Sequence, residues 1–338
     1  MESSSLFLAL AVSTFLFLRR RTRARPPEPI VYLNGEFLPA SEARVHVDDR
    51  AFLFADGVYE VTKVQGTFIF TAAEHFARLR RGLSELRIFA GGAVEALPGV
   101  VRELYARNGF TGQSYVYIQI SRGAAAPRAH AWHGTAPCPT VYASLKPYAF
   151  DFKDFSAGKS AIVEADARWS RCDIKTTSLL PNVLANQRAK EAGAYEALLT
   201  RDVGGEACVV EASHSNVFAV LRGAGGEWEL VTPPLENILP GVTRGVTLAR
   251  GGGDAMLLAR AGVARMREGH VPLAALRDGR ARELMVTAST SFVVPITRVE
   301  GVGDVGDGRV GPAALALRGA WMGWWEEDKA AWERSRQR

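Results

Sequence analysis

Short alternating strands closed by tight glycine turns most constrain this fold, because a two-residue loop can join only antiparallel neighbours. The run Val31-Tyr-Leu-Asn-Gly-Glu-Phe37 carries Asn34-Gly35, a pair that tolerates the two positive φ angles of a type I′ turn. A second hairpin reads Val58 to Val64, Gln65-Gly66, then Thr67 to Phe70, and Tyr115 to Ser121 alternates as a further strand. Thr71-Ala-Ala-Glu74 has the spacing of a capping box. The helix it opens places Phe76, Leu79, Leu83 and Leu86 on one face, with Arg78 off that stripe and free for polar work. This first block is expected to end near Tyr148. In the second block, Tyr195 to Thr200, Cys208 to Glu211, Asn216 to Leu221 and Trp228 to Thr232 read as short strands, with a turn at Asp202-Val-Gly-Gly205. Helical segments follow Pro181 and Thr243, Glu283 to Thr287 is a late strand, and Ala313 to Arg334 reads as a tryptophan-rich helix. Strands in two blocks, with helices beside them, predict an α+β protein of two parts.

The chain has 338 residues, 47% hydrophobic and 23% charged, which suffices for a sizeable core. Its net charge of +5 is mostly local: residues 1–30 hold five Arg against Glu2 and Glu28. No basic patch interleaves with aromatics, so a nucleic-acid partner is not expected. Three cysteines, Cys138, Cys172 and Cys208, have no regular spacing and fit a reducing compartment rather than a disulfide framework. Ser5 to Leu18 is apolar and is followed by arginines and by Pro26-Pro-Glu-Pro29. The apolar run is shorter than the ~20 residues of a membrane helix. Its charges follow the run rather than precede it, unlike a cleaved secretory signal. A short membrane anchor touching lipid through residues 5–25, an organellar targeting segment and a disordered extension all remain open for residues 1–29. The chain beyond residue 29 is expected in a cytoplasmic or organellar, reducing space.

Two motifs are decoys. Gly301-Val-Gly-Asp-Val-Gly306 matches a dinucleotide fingerprint, but Gly308 and Pro312 interrupt the helix it would need, and a glycine-rich turn is the expectation. His130-Ala-Trp-His133 has no Cys, Asp or Glu beside it to complete a metal site. Gly223-Ala-Gly-Gly226 and Gly251-Gly-Gly253 read as flexible loops.

Lys175 and Glu211 carry the chemistry. A lysine amine forms a Schiff base with the aldehyde of pyridoxal 5′-phosphate (PLP), and a carboxylate keeps the pyridine nitrogen protonated so that the ring accepts electrons. Each stands beside small hydroxyl residues, Lys175-Thr-Thr-Ser178 and Glu211-Ala-Ser-His-Ser-Asn216. Further on, Leu239-Pro-Gly-Val-Thr-Arg244 precedes a helical pattern. Gly241 there permits close backbone approach, and the amides of Val242 and Thr243 would lie at a helix N-terminus that attracts phosphate. Arg78 is a candidate counter-charge and Ser289 a candidate hydroxyl.

From about Ile30 to Glu300 the chain resembles the class IV aminotransferases, the fold type IV PLP enzymes. The resemblance rests on Asp49-Arg-Ala-Phe-Leu-Phe-Ala-Asp-Gly-Val-Tyr-Glu60, Glu74-His-Phe-Ala-Arg78, Lys175 with Asn182-Val-Leu-Ala-Asn186, Glu211 to Phe218, Leu239 to Arg244 and Thr287 to Ser291. It implies a two-domain α+β fold, with a small N-terminal domain (30–150), a larger strand-rich PLP domain (151–325) and a tail (326–338). It also implies PLP on Lys175, a ring-nitrogen partner in Glu211, and a phosphate site of Arg78, Val242, Thr243 and Ser289. Within the group, Ser121-Arg-Gly-Ala-Ala-Ala-Pro-Arg-Ala-His130 is most similar to D-amino-acid transaminases. That likeness implies substrate-carboxylate binding by Tyr59, Arg128 and His130, D-alanine and 2-oxoglutarate as substrates, and a homodimer. Aminodeoxychorismate lyase, branched-chain or (R)-amine transamination on the same scaffold, and a non-catalytic PLP-binding protein, are the alternatives. Three positions depart from the family pattern: His214 and Ala288 where small or polar residues are usual, and Ser289 where Thr is common. There is also extra sequence around Gly251 to Met256.

Overall fold

The computed structural model describes residues 28–132, 138–148 and 156–336; the apolar and basic run at 1–27 and His133 of the histidine pair lie outside the described residues. Among the described residues no helix is long and apolar enough to cross a membrane.

The first sheet is antiparallel throughout, in the order β2-β1-β6-β5-β3-β4. It comprises β1 (Ile30–Leu33), β2 (Glu36–Pro39), β3 (Gly57–Gln65), β4 (Phe68–Ile69), β5 (Ser114–Ser121) and β6 (Thr140–Pro147). Asn34 and Gly35 hold φ of 51° and 101°, so the first turn forms where the sequence predicts it. The second hairpin closes one residue later than expected: Gln65 pairs with Phe68, leaving Gly66 and Thr67 as the loop. Helices α1 (Arg50–Phe54), α2 (Ala72–Glu85) and α3 (Ala93–Arg107) join these strands. Phe76, Leu79 and Leu83 of α2, with Leu97, Val101 and Leu104 of α3, bury against Val116, Ile118 and Ile120 of β5. The capping box does not form. Thr71 is left-handed (φ 47°) and makes no side-chain cap; its hydroxyl donates to the Phe70 carbonyl instead. A left-handed cap residue turns its oxygen away from the first-turn amides.

The second sheet runs β12-β11-β10-β14-β15-β7-β8-β9-β13, with β16 beside β15. Its strands are β7 (Lys159–Ala165), β8 (Glu196–Val203), β9 (Glu206–Ala212), β10 (Asn216–Arg222), β11 (Trp228–Thr232), β12 (Arg265–Glu268), β13 (Val271–Pro272), β14 (Ala281–Ala288), β15 (Phe292–Val299) and β16 (Gly303–Asp304). Helix α4 (Leu180–Glu191) connects β7 to β8. Then α5 (Val242–Val246) runs into a π-helical turn, Thr247–Gly251, and α6 (Ala255–Ala261) follows. Gly251 is thus buried in a helical turn, not part of a flexible loop. Gly301 to Gly306 forms the turns around β16, with φ of 71° at Gly301 and 118° at Gly303, as the turn reading expects.

The C-terminal helix α7 (Pro312–Ser335) runs unbroken through residue 325, so the tail set off at 326 is its last three turns. Both carboxylate oxygens of Glu283 accept from its first amides, Ala313 and Ala314, at 3.0 Å, which is a cap supplied from a neighbouring strand. Trp321 is 1% exposed and donates its indole N–H to Thr247 at 3.0 Å. Trp321 and Trp325 pack against Phe70, while Trp325 and Trp332 pack against Phe68, so this helix locks the two sheets together.

Candidate active site

Lys175 lies where the two sheets meet. Val58 and Thr176 form an isolated antiparallel bridge, and the Tyr59 amide donates to the Lys175 carbonyl at 3.0 Å. Pinning the lysine backbone to β3 brings its side chain to Tyr59: Nζ stands 3.3 Å from the phenol oxygen and 4.3 Å from the ring centroid. Tyr59 in turn stacks on Tyr117, at 5.6 Å between centroids.

Glu211, near the end of β9, is 4% exposed. It accepts from Arg168 Nη1 at 2.5 Å, Asn216 Nδ2 at 3.0 Å and the Leu239 amide at 3.3 Å. Asp166 grips Arg168 at Nε and Nη2, both 2.9 Å, and also accepts from Arg201 at 2.8 Å. Burial outweighs the Arg168 attraction and pushes the Glu211 carboxyl up to about 7. A carboxyl so poised holds or yields a proton at little cost near neutrality. Arg168 precedes Lys175 by only seven residues, yet nothing in its local spacing points that arginine at Glu211, which is 43 residues away.

Gly241 caps α5, and a Cβ there would lie 1.8 Å from Asn216 Oδ1, so any larger residue must displace that side chain. The close approach aims the first amides of α5, Val242 and Thr243, into a cavity of about 180 Å³. Arg78, Lys175, Glu211, Thr287 and Ser289 line the same cavity. Arg78 is held by Glu60 through Nε (2.7 Å) and Nη2 (2.8 Å) and donates Nη1 to the Pro240 carbonyl at 3.1 Å. His75, fully buried, reaches Glu60 through Nδ1 at 2.8 Å and Ser289 Oγ through Nε2 at 3.3 Å. Glu60 as a carboxylate can only accept, so Nδ1 carries the proton and Nε2 accepts from Ser289. At 3.3 Å that last bond is weak and readily exchanged for a phosphate oxygen. Thr287 Oγ1 is buried without a hydrogen-bond partner among the described residues. A glycine-lined approach, a guanidinium, two first-turn amides and an orphan hydroxyl suit a phosphate group. Ala288 adds no side-chain donor. Neither Glu60 nor His75 is singled out by sequence; both lie in quoted motifs but act through contacts across the fold.

A second cavity of about 200 Å³ opens on the other side of Lys175, lined by Arg168, Trp169, Cys172, Asn182 and Asn186 among others. Tyr59, Lys175, Glu211, His214 and Leu239 line both. Cys172 donates to the Trp169 carbonyl at 2.9 Å, and burial pushes its thiol up, away from the reactive thiolate. Seven predicted residues, Tyr59, Arg78, Lys175, Glu211, Val242, Thr243 and Ser289, therefore converge. Arg128 and His130 do not: neither lines these cavities. Arg128 sits over the Phe54 ring at 4.5 Å, and His130 lines a separate cavity with Arg50, Arg122 and Trp132. The 49–60 motif is partly architecture: Asp49 caps α1, and Asp56 binds both Arg50 and Arg122.

Similarity to known proteins agrees with this geometry. Residues 57–299 match the family described as amino-transferase class IV. The chain is 36% identical over 289 residues to a D-alanine aminotransferase of Staphylococcus haemolyticus, covering 85% of this chain and 95% of that one. It is 34% identical over 285 residues to a D-alanine aminotransferase of Bacillus licheniformis, covering 83% and 92%. In fold it is similar to the branched-chain amino acid aminotransferase from Escherichia coli, with a TM-score of 0.71, 23% identity and coverage of 88% and 94%. It is also similar to a T.th. branched-chain amino acid aminotransferase with pyridoxamine 5′-phosphate, with a TM-score of 0.72, 23% identity and the same coverage. A lysine, a buried carboxyl and a helix N-terminus converging on one cavity, in a chain matched over most of its length, make this protein a member of the class IV aminotransferases, a PLP-dependent family.

Proposed function

We propose that this chain is a PLP-dependent transaminase that moves the amino group of a D-amino acid, D-alanine foremost, to a 2-oxo acid such as 2-oxoglutarate by alternating half-reactions. The observation that carries the reading is the convergence of Lys175, Glu211 and the Arg78–Thr243–Ser289 cradle on one cavity. Its substrate side is supported by the likeness to D-alanine aminotransferases.

PLP, when bound, supplies an electrophilic aldehyde and an electron-accepting ring. Each residue then has a task. Arg78, Val242, Thr243 and Ser289 hold the phosphate. Lys175 would hold the aldehyde carbon, and its amine would carry the substrate's α-proton as acid and base. Tyr59 keeps that amine in place from 3.3 Å. Glu211, backed by Arg168 and Asn216, keeps a proton on the ring nitrogen. Tyr59, Arg128 and His130 take the substrate carboxylate. Arg128 and His130 lie outside the cavity of their own chain, which supports a homodimer in which they face the cavity of a second copy.

A panel of D- and L-amino acids with PLP-loaded protein, scored for keto-acid release, tests the substrate. D-alanine with 2-oxoglutarate should give pyruvate; exclusive turnover of L-leucine, L-isoleucine or L-valine overturns the D-amino-acid reading. Borohydride reduction should fix a pyridoxyl group on Lys175, read by mass spectrometry. Lys175→Ala should lose about three orders of magnitude or more in turnover, since the anchoring and proton-carrying roles go together.

A further inference from the structure

We propose that His214, fixed by the buried carboxylate of Glu196, is a specificity residue that receives the distal carboxylate of a dicarboxylic substrate, such as 2-oxoglutarate or D-glutamate. The inference rests on the transaminase reading above and names what its cavity selects.

His214 stands in the loop between β9 and β10, directly after Glu211's strand. Beneath it Glu196 is 0% exposed, a costly place for a carboxylate unless both oxygens are matched. Its Oε1 accepts the His214 amide at 2.6 Å and lies 2.9 Å from His214 Nδ1; its Oε2 accepts the Ser215 hydroxyl at 2.9 Å. A weaker bond comes from Ser213 Oγ at 3.4 Å. The Nδ1 proton is therefore committed to Glu196, and the Nε2 edge is the one left to offer. The His214 side chain keeps 52% of its surface exposed and lines both cavities beside Lys175.

The charges around it single it out. Arg78 is already matched by Glu60, and Arg168 by Asp166 and Glu211. Lys175 is reserved for the cofactor. Five groups bear on the imidazole: Glu196 on β8, Lys190 near the end of α4, Tyr195 just before β8, whose ring lies 6.4 Å away, and Lys175 and Glu211 on the cavity wall. Partial desolvation draws the imidazole down, but Glu196 outweighs it and holds the ring above its ordinary value. Lys190, donating to the Tyr195 carbonyl at 2.9 Å, lines neither cavity and opposes the imidazole's charge. A monocarboxylate substrate has no use for this edge, whereas a dicarboxylate does. A charge-assisted hydrogen bond is worth about 1.5–3 kcal/mol, roughly tenfold or more in preference.

The test compares wild type with His214→Ser and His214→Gln, each loaded with PLP and checked for folding by thermal melting. The wild type should favour 2-oxoglutarate over pyruvate as acceptor by kcat/KM. Both variants should lower that ratio about tenfold, the Gln variant included because it keeps a donor but no charge. Calorimetry with glutarate, set against butyrate, should show the same loss without turnover. In the wild type the preference should fade as pH rises through the imidazole's titration, and the variants should have a flat profile. An unchanged ratio, or equal losses for both acceptors and both ligands, overturns the subsite while leaving the transaminase reading intact. A wild-type protein that neither loads PLP nor transaminates sinks both.

Discussion

On the phosphate side of Lys175, the charged groups are matched within the chain before any ligand arrives. Arg78 is clamped by both oxygens of Glu60, Glu60 is also held by His75, and Gly241 lies against Asn216. Outside the cavity on that side, Arg128 and His130 rest on Phe54. The contrast separates what one chain can organise alone from what it must assemble. A coenzyme that stays bound through every turnover rewards a cradle built in advance. A substrate that enters and leaves is served by groups brought up from outside, here by the proposed second copy.

The comparison breaks most sharply at Gly241. In Gly241→Ala the new methyl would lie 1.8 Å from Asn216 Oδ1 and displace a side chain that also donates to Glu211 and to the Leu239 carbonyl. One methyl then disturbs both the proposed phosphate turn and the proposed ring-nitrogen partner. A loss of roughly 3 kcal/mol in PLP binding, about a hundredfold in Kd, is expected from titration of the coenzyme absorbance. Unaltered affinity would mean the cradle is not built in advance.

The next effect sharpens the other half. Arg128→Ala should raise the KM for D-alanine by roughly 10–100-fold while the protein keeps its PLP, as removing one charge-assisted contact predicts. Mixing Arg128→Ala with Lys175→Ala protein, after subunit exchange, should recover activity neither has alone. One hybrid cavity then holds an intact Lys175 and faces an intact Arg128. If the mixture stays at the level of its parts, the carboxylate pair serves its own chain, and the contrast drawn above fails.

Local patterns in the sequence foretold the local parts of this molecule. Asn34-Gly35 announced its turn, because two positive φ angles leave few other choices. The stripe Phe76, Leu79, Leu83 announced the buried face of α2. Strands β7 and β12 went unread: each pairs in parallel, so no tight turn marks it. The site divides in the same way. Lys175, Glu211 and the Gly241 turn sit in short motifs with their own chemistry. Arg168, Glu60, His75 and Glu196 act through partners 15–43 residues away, a reach that no local spacing encodes. Thr71 failed as a cap for a related reason: the hairpin before it closed one residue late and left it in a left-handed conformation.

The smallest effect concerns acid, and it separates Glu211, which lines the cavity, from Glu60, which holds the cavity's Arg78 from behind. Burial raises Glu60, but Arg78 and His75 outweigh it and hold the group at about 2, against 4.5 in the unfolded chain. Its contribution to stability is therefore full above pH 4.5 and drains away as pH falls toward 2. Glu211 runs the other way. Burial wins, the folded value is about 7, and its contribution is present below pH 4.5 and lost as pH rises to 7. In melting curves of the PLP-free protein, Glu60→Gln should lower Tm at about pH 7 by a few degrees and flatten the decline below pH 4.5. Glu211→Gln should instead flatten a decline between pH 4.5 and 7. If both variants altered the same limb, the two carboxyls would share one electrostatic design, and the difference between a group fixed by its partners and a group left poised near neutrality would not exist.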